Sequence, residues 1–493
     1  MARAEFGNLS AAEVRMLHVA PTRDIAWASS SKDPNDPIND PAKASGWGPE
    51  RSIRGEMIEW LLSDPDAAKL VHPSGLAIKA ARITGKLDLS YLTIGVPVML
   101  VLCAIDDGVD LRYGRYQSLD LRSSWTGAIV GDQSVSTGDV VLRYGHYGET
   151  SFYRAEIGGN LEANGGQFVG DDPLSVVDAT IKGDALFHDD FETSGVVDFR
   201  LARIGRSLSF NHVRFTGKGD NGLNAERATI GGTLYWVAVQ TTARTRLDLG
   251  DVHANTFWDD QKSWPAAGNL SLDGFVYSEF SGGPGDSASR LAWLQRQTVA
   301  MQKQPQPYRQ LADVLRAAGR PEGAINVAIA HQDALRTLEH LSFGDWLWRV
   351  VLDTTIGYGY RPLRAVWWIL LFVFVGGALF RSGYRARLIT PTEAHAYELF
   401  VQTGEPPPHY PPFNSFVYSL ENFLPIVELH QGEYWRPNPR HTPIRRGRAK
   451  GRKLATDRWL APMLRWYLWL HILAGWTITP LLFAGLAGLL RND

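Results

Sequence analysis

The stretches AEIGGNLEA (155–163), ATIKGDALF (179–187), ARIGRSLSF (202–210) and ATIGGTLYW (228–236) share one plan, which ARITGKLDL (81–89) begins. Ile157, Ile181, Ile204 and Ile230 recur at intervals of 24, 23 and 26 residues. Short apolar triplets accompany them: LDL at 87–89, VML at 98–100, VDL at 109–111, LDL at 119–121 and VVL at 140–142. VDF at 197–199, LSF at 208–210, LDL at 247–249 and LSL at 270–272 continue the series, many starting about ten to thirteen residues apart. In an extended triplet the outer residues face one way and the middle one the other. Such a period marks a solenoid, because each turn is too short to bury a face alone and stacking turns builds one apolar column. Gly85, Gly159, Gly183, Gly205 and Gly232 fit corners that exclude a Cβ. Residues 75–280 therefore read as a parallel β-helix. An ordinary β-sandwich would show longer strands at less regular spacing.

Working outward, residues 1–48 read as a flexible N-terminal arm, broken by the polar, Pro-containing run SSSKDPNDPINDPAKASG. Residues 49–74 carry a capping helix. Pro49 and Glu50 suit its first turn, Ile53, Met57, Trp60 and Leu61 recur at helical spacing, and Asp64-Pro65 stops it. A helix there covers the open end of the solenoid, whose strand edges and apolar turns would otherwise be bare.

Beyond the break SGGPGDS, residues 286–341 form a helical adaptor. Tyr308, Leu311 and Leu315 make one stripe, Gly319 is a stop, and Ala324, Val327, His331, Leu335 and Leu338 make the facing stripe. This αα-hairpin resembles a single tetratricopeptide unit, and its expected role is a spacer joining solenoid to membrane. Residues 343–362 read as an interfacial helix and turn, since Asp345 and Arg349 oppose burial in lipid. Trp346, Trp348, Tyr358, Tyr360, Arg361 and Arg364 are the expected headgroup-level anchors.

Residues 363–493 form the membrane domain, with spans expected near 363–381 and 466–490. Gly485 and Gly488 in the second span would allow close helix contact. Between the spans, residues 413–429 form an interfacial, re-entrant or spanning segment. Glu421 there and His471 in the final span are a candidate intramembrane polar site. If 413–429 does not cross, the basic groups before the first span and before the last face opposite sides of the bilayer. Arg445, Arg446, Arg448, Lys450, Arg452 and Lys453 are candidate contacts to anionic lipid. The sequence TTIGYG (354–359) matches a potassium-channel filter in its letters. Its setting does not: a charged adaptor precedes it and Arg361 follows at once, so helix-breaking glycines before a new helix are the simpler reading.

The 493 residues carry a net charge of −2, which gives no general reason to expect nucleic acid. One cysteine, Cys103, excludes an intramolecular disulfide and multi-cysteine metal sites, and fits a reducing compartment. The first residues lack the apolar run of a secretory signal. No H-E-x-x-H, phosphate loop or dinucleotide fingerprint is present. His188, Asp189 and Asp190, with His212 or His146, could hold a metal if the turns brought them together; the expected role is a polar solenoid corner. No catalytic residue, cofactor or metal site is assigned.

Several segments together resemble one bacterial, actinobacterial-type family of membrane-associated β-solenoid proteins. They are ERSIRGEMIEWLL, GLAIKAARITGKLDL, AEIGGNLEANGGQF, LSLDGFVY, PQPYRQLADVLRAAG, GYGYRP, YSLENFLPIVELHQGEYW and HILAGWTITPLLFAGLAGLLR, and the resemblance runs from about residue 47 to 491. Members are sometimes described as membrane-associated oxidoreductases, so the resemblance implies an oxidoreductase of unknown substrate as an alternative function. The turns also resemble pentapeptide-repeat proteins. The expectation is a mainly β protein: a parallel β-helix with an N-terminal capping helix, a helical-hairpin adaptor and C-terminal transmembrane helices. It would be a multi-pass protein of the cell membrane presenting a rigid cytoplasmic scaffold to a protein partner or a second copy. Oligomeric ion or proton transport through 413–429 is the other alternative.

Overall fold

A computed structural model of the chain describes residues 1–338, 341–438 and 454–489. The chain divides into two compact units, Met1–His331 and Gln332–Asp493.

The first unit is a parallel β-solenoid. Its strands form sheets of seventeen, eight and nine strands; each turn between Arg82 and Asn211 contributes four short strands, and in later turns two of them merge into longer ones such as Thr229–Val237. Arg115 pairs with Val135, Leu119 with Val140, Trp125 with His146 and Ile129 with Thr150, so neighbouring turns stack about 20 residues apart in sequence. The isoleucines of the opening repeat are direct neighbours: Ile157 pairs with Ile181, Ile181 with Ile204 and Ile204 with Ile230. A second buried column runs Val98, Leu119, Val140, Leu161, Ala185, Leu208, Leu234 and Phe257. Aromatic rings thicken the core in the later turns, where Phe187 stacks on Phe210 at 4.8 Å between centroids and meets Phe191 edge-on at 5.0 Å.

The corners have a local cause. Asp110, in the middle of VDL, accepts a hydrogen bond from the Arg112 backbone N–H at 3.1 Å, and Asp88, Asp120 and Asp198 do the same two residues on. These are Asx turns, which divert the chain out of the strand. The residue after each turn is left-handed: Tyr91, Tyr113, Ser123 and Leu201 have φ of 58°, 59°, 55° and 61°. Hydrogen bonding up and down the stack holds these non-glycine corners. The corner expected at Gly205 is different. Its φ is not positive, and a Cβ there would lie 2.3 Å from the Lys182 carbonyl oxygen of the preceding turn. It permits close stacking rather than a reversal.

The N-terminal residues fold, in contrast to the expected flexible arm. Helices α1 (Ala2–Phe6) and α2 (Ala11–Val19) precede a strand, Ala26–Trp27, that pairs in parallel with Ile78 and Lys79. Ser10 and Glu13 form a reciprocal capping box, and Glu13 continues to the Arg54 guanidinium at 2.7 Å. Burial pushes the Glu13 carboxyl up, but the hydrogen bonds from Arg54 and from the Ser10 and Arg54 backbone outweigh it, so it lies below its ordinary value. Polar composition suggested disorder; the run is held by these bonds, and Asn39 donates to the Ser31 and Asp33 carbonyls. Residues 52–54 are a strand, and helix α3 spans Gly55–Ser63, burying Met57, Ile58, Leu61 and Leu62 in the first turns of the solenoid.

At the other end, α4 (Ser287–Leu294) and α5 (Pro305–Ala317) close the column. Trp293 stacks on Phe257 at 5.5 Å, and Arg290, 1% exposed, makes a bidentate pair with Asp259, 0% exposed. Gln306 both accepts from the Gly274 N–H and donates to the Phe275 carbonyl, satisfying the bare edge of the last turn. The first half of the expected spacer is thus a cap. Helix α6 runs Pro321–Leu338.

The second unit contains α7 (Phe343–Ile356), α8 (Arg364–Arg385), α9 (Ala394–Thr403), α10 (Ser415–Phe423), α11 (Gln431–Tyr434) and α12 (Leu454–Leu486). Ile389–Pro391 and Trp435–Pro437 form a two-stranded antiparallel ribbon.

Candidate membrane site

Among the described residues, two helices are long and apolar enough to cross a bilayer: the 22-residue α8 and the 25-residue part of α12 from Pro462 to Leu486. At 1.5 Å per residue each exceeds the hydrocarbon thickness of about 30 Å. Most of their apolar surface is unpacked. Trp367, Leu371 and Phe374 of α8 and Leu473, Trp476 and Phe483 of α12 are exposed. The protein is membrane-located, with more than one span in contact with lipid.

Helix α10 lies against both α8 and α12, and small residues set the distance. A Cβ on Gly475 would fall 1.7 Å from the Phe423 carbonyl oxygen, and one on Gly376 would fall 2.3 Å from Ser419 Oγ. Of the glycines expected to serve this purpose, Gly485 faces Pro362, whereas Gly488 follows the end of α12 with φ of 72° and no neighbour within 4 Å.

Ser419 Oγ donates to the Val373 carbonyl at 3.0 Å, fastening α10 to α8. His471, 0% exposed, faces the Ser419 carbonyl through Nε2 at 2.9 Å and the Tyr467 hydroxyl through Nδ1 at 3.4 Å. A carbonyl only accepts, so Nε2 carries a proton, while the Tyr467 hydroxyl can partner Nδ1 in either sense. The imidazole has a partner on both sides and pins α12 to α10.

Glu421 does not join it. Its carboxylate accepts from the backbone N–H groups of Gln431 at 2.7 Å and Gly432 at 3.3 Å, at the start of α11. Gln431 in turn accepts from the Asn414 N–H and faces the Pro412 carbonyl, at 3.0 and 3.3 Å. The residues on either side of α10 and its following loop are thereby tied together. Helix α10 has nine residues, far short of a crossing.

The TTIGYG turn is a helix end. Gly357 caps α7 in the left-handed conformation (φ 52°, ψ 52°), donating to the Asp353 and Leu352 carbonyls. The Ile356 and Gly357 carbonyls accept from Arg361 and Tyr360, so two of the oxygens a filter would turn toward an ion serve the turn itself. Tyr358 is 6% exposed rather than anchored among headgroups, and its hydroxyl donates to Asp333 at 3.2 Å. Arg336 bridges Asp333 and Asp353 at 3.3 Å each. Burial, with Asp353 nearby, pushes the Asp333 carboxyl above its ordinary value. Trp346 and Trp348 are about half exposed and Arg364 is exposed; Tyr360 and Arg361 are partly covered.

The lipid contacts expected at Arg445, Arg446, Arg448, Lys450, Arg452 and Lys453 lie outside the described residues. Two arginines that the sequence did not single out, Arg436 and Arg465, line a cavity of about 600 Å³ with Thr390, Thr392, Tyr418 and Trp469.

His188 Nε2 is bonded to Ser209 Oγ at 2.6 Å, and Asp189 accepts from Tyr144 at 3.2 Å. Both Asp189 and Asp190 sit at left-handed corners, and among the described residues no three His, Cys, Asp or Glu side chains converge as metal ligands. Cys103 is buried against the Ile78 and Val101 carbonyls, and burial pushes its thiol up to about 12. No protein-family model, curated protein or solved structure matches the chain.

Proposed function

We propose that the chain is a membrane-anchored scaffold whose solenoid presents a rigid surface to a protein partner or a second copy. The observation that carries this reading is one polypeptide joining a capped, apolar-cored rod to two helices with lipid-exposed apolar faces. The rod's outer face on the nine-stranded sheet is polar, with a groove of about 580 Å³ lined by Glu149, Ser151, Asp172, Ser175, Asp198 and Arg200. Laddered polar side chains on a stiff support suit recognition of an extended partner surface. Such a scaffold accords with the bacterial membrane-associated solenoid family and the pentapeptide-repeat proteins that the sequence resembles. Neither resemblance brings a catalytic residue to this chain.

We read 413–429 as re-entrant, with α8 crossing between Arg364 and the basic run that precedes α12. The two basic groups then lie across the bilayer from each other. We place the solenoid, with Arg361 and Arg364, in the cytoplasm. Protease added to sealed, right-side-out membranes should leave the solenoid intact; if it is trimmed, the orientation inverts and the second basic run is the cytoplasmic one. A photo-crosslinking residue at Ser151 or Ser175 in the full chain should yield one reproducible protein adduct, absent when it stands at Gln167 on the eight-stranded sheet. Equal adducts from both faces, or none, would remove the groove from the proposal.

A further inference from the structure

We infer that the cavity between α10, α12 and the Ile389–Pro391/Trp435–Pro437 ribbon is a binding site for an anionic phospholipid, with the arginines on its phosphate-bearing headgroup. The inference rests on the reading that α8 and α12 cross the bilayer.

Three observations converge. The cavity of about 600 Å³ is lined at one end by Arg436 and Arg465, with Thr390, Thr392 and Asn438 beside them. Neither Arg436 nor Arg465 has a carboxylate within salt-bridge distance among the described residues; Glu421, which lies toward α11, is engaged by backbone N–H groups. The Arg465 guanidinium instead stands 5.5 Å from the Trp469 ring centroid, a weak partner that leaves its donors available. Two guanidinium groups without carboxylates at the mouth of a cavity suit a phosphate diester.

The remaining wall is apolar and runs into the membrane. Leu468, Trp469 and Ile472 follow Arg465 along one face of α12 at helical spacing. Arg465 lies in the first turn of the part of α12 that spans, so its charge is at headgroup depth and Ile472 about 10 Å deeper. A polar mouth above an apolar wall matches a headgroup with an acyl chain beneath it, and basic pockets between membrane helices bind such headgroups. Free phosphate would use only the mouth. Thr390 and Thr392 can hydrogen-bond glycerol or headgroup hydroxyls, whereas a choline headgroup would bring its own cation against the arginines.

The test uses the full chain in detergent, with phosphatidylglycerol, phosphatidylcholine and inorganic phosphate as separate probes, and native mass spectrometry to count retained lipid. Wild type should retain phosphatidylglycerol in preference to phosphatidylcholine, and millimolar inorganic phosphate should not displace it. Arg436→Gln and Arg465→Gln should each weaken phosphatidylglycerol binding about five-fold, and the double variant about thirty-fold. Arg381→Gln, which removes an exposed charge from the C-terminal end of α8, should bind as wild type does. Both arginines are exposed, so the single variants carry the test should the double variant not fold. Wild-type retention in the double variant, or equal loss in Arg381→Gln, overturns the site. Displacement by inorganic phosphate overturns the lipid assignment in favour of a free anion. Carbonate extraction of the same membranes separates the underlying reading: release of wild type into the soluble fraction overturns the spans, while retention without lipid preference overturns only the cavity.

Discussion

Removing Asp259 should unlatch the C-terminal end of the solenoid. Its Oδ2 accepts from Arg290 Nη1 at 2.8 Å and from Trp264 Nε1 at 2.7 Å, and its Oδ1 from Arg290 Nη2 at 2.7 Å. Both charged side chains are essentially unexposed, so water cannot take over the bonds. Asp259→Ala leaves a buried guanidinium with the Pro284 carbonyl as its remaining hydrogen-bond acceptor, and strands an indole N–H. Breaking a buried pair this way costs about 3–5 kcal/mol, with about 1 kcal/mol more for the orphaned indole. Replacing both partners by apolar residues is different, because no charge is left uncompensated. The double variant Asp259→Leu/Arg290→Met should lie within about 2 kcal/mol of wild type. Hydrogen exchange of the strands His253–Asp259 and Val276–Ser281 in the detergent-solubilised chain reads the difference directly. A loss of about 4 kcal/mol corresponds to roughly thousand-fold faster exchange when opening is rapid and reversible. If Asp259→Ala exchanges within about five-fold of wild type, or the double variant is worse than the single variants combined, the pair does not latch the cap.

Cys103 should resist iodoacetamide at pH 8 in the native protein and react only after denaturation, since its thiol is pushed up to about 12 by burial; prompt native labelling would contradict that placement. Glu13 titrates below its ordinary value in the folded chain, so its contribution to stability is present above the unfolded value and lost as pH falls through the folded one. Melting of the first unit should therefore drop on acidification, and Glu13→Gln should start lower and flatten that part of the profile; an unchanged profile refutes the assignment. Gly475→Ala sets a Cβ 1.7 Å from the Phe423 carbonyl oxygen and should cost about 1–3 kcal/mol or more of membrane-unit stability, whereas Gly344→Ala, with no atom nearer than 3.9 Å, should be neutral or stabilising. Equal melting temperatures for the two variants would show that α10 does not pack on α12 as described.

Much of the rod was legible because its signal is periodic. The isoleucine column at 157, 181, 204 and 230 appears in the pairing register residue for residue, since one inward position per strand must be apolar in every turn. The corners were read less well. Gly85 is a left-handed corner as expected, but Gly159, Gly183, Gly205 and Gly232 marked close stacking, while Tyr91, Tyr113 and Leu201 took left-handed positions that composition alone does not assign. The N-terminal segment was mistaken for a flexible arm because its order comes from the capping box, the Glu13–Arg54 pair and one parallel strand contact, none of which leaves an apolar pattern. In the membrane unit, Glu421 and His471 were noticed as polar residues in apolar surroundings, yet each found a different partner. Arg465 escaped notice because one arginine at a helix start reads as ordinary snorkelling until the ribbon brings Arg436 to the same cavity.

By itself the sequence determined that short apolar strands repeat and that two later segments prefer lipid to water. Both follow from the spacing and length of apolar runs, which act along the chain. Tertiary structure alone decided that α4 and α5 seal the far end of the rod, that the N-terminal segment folds onto its first turns, and which polar groups meet. Those outcomes depend on buried hydrogen bonds between residues tens of positions apart, where geometry selects one partner among many chemically equivalent ones.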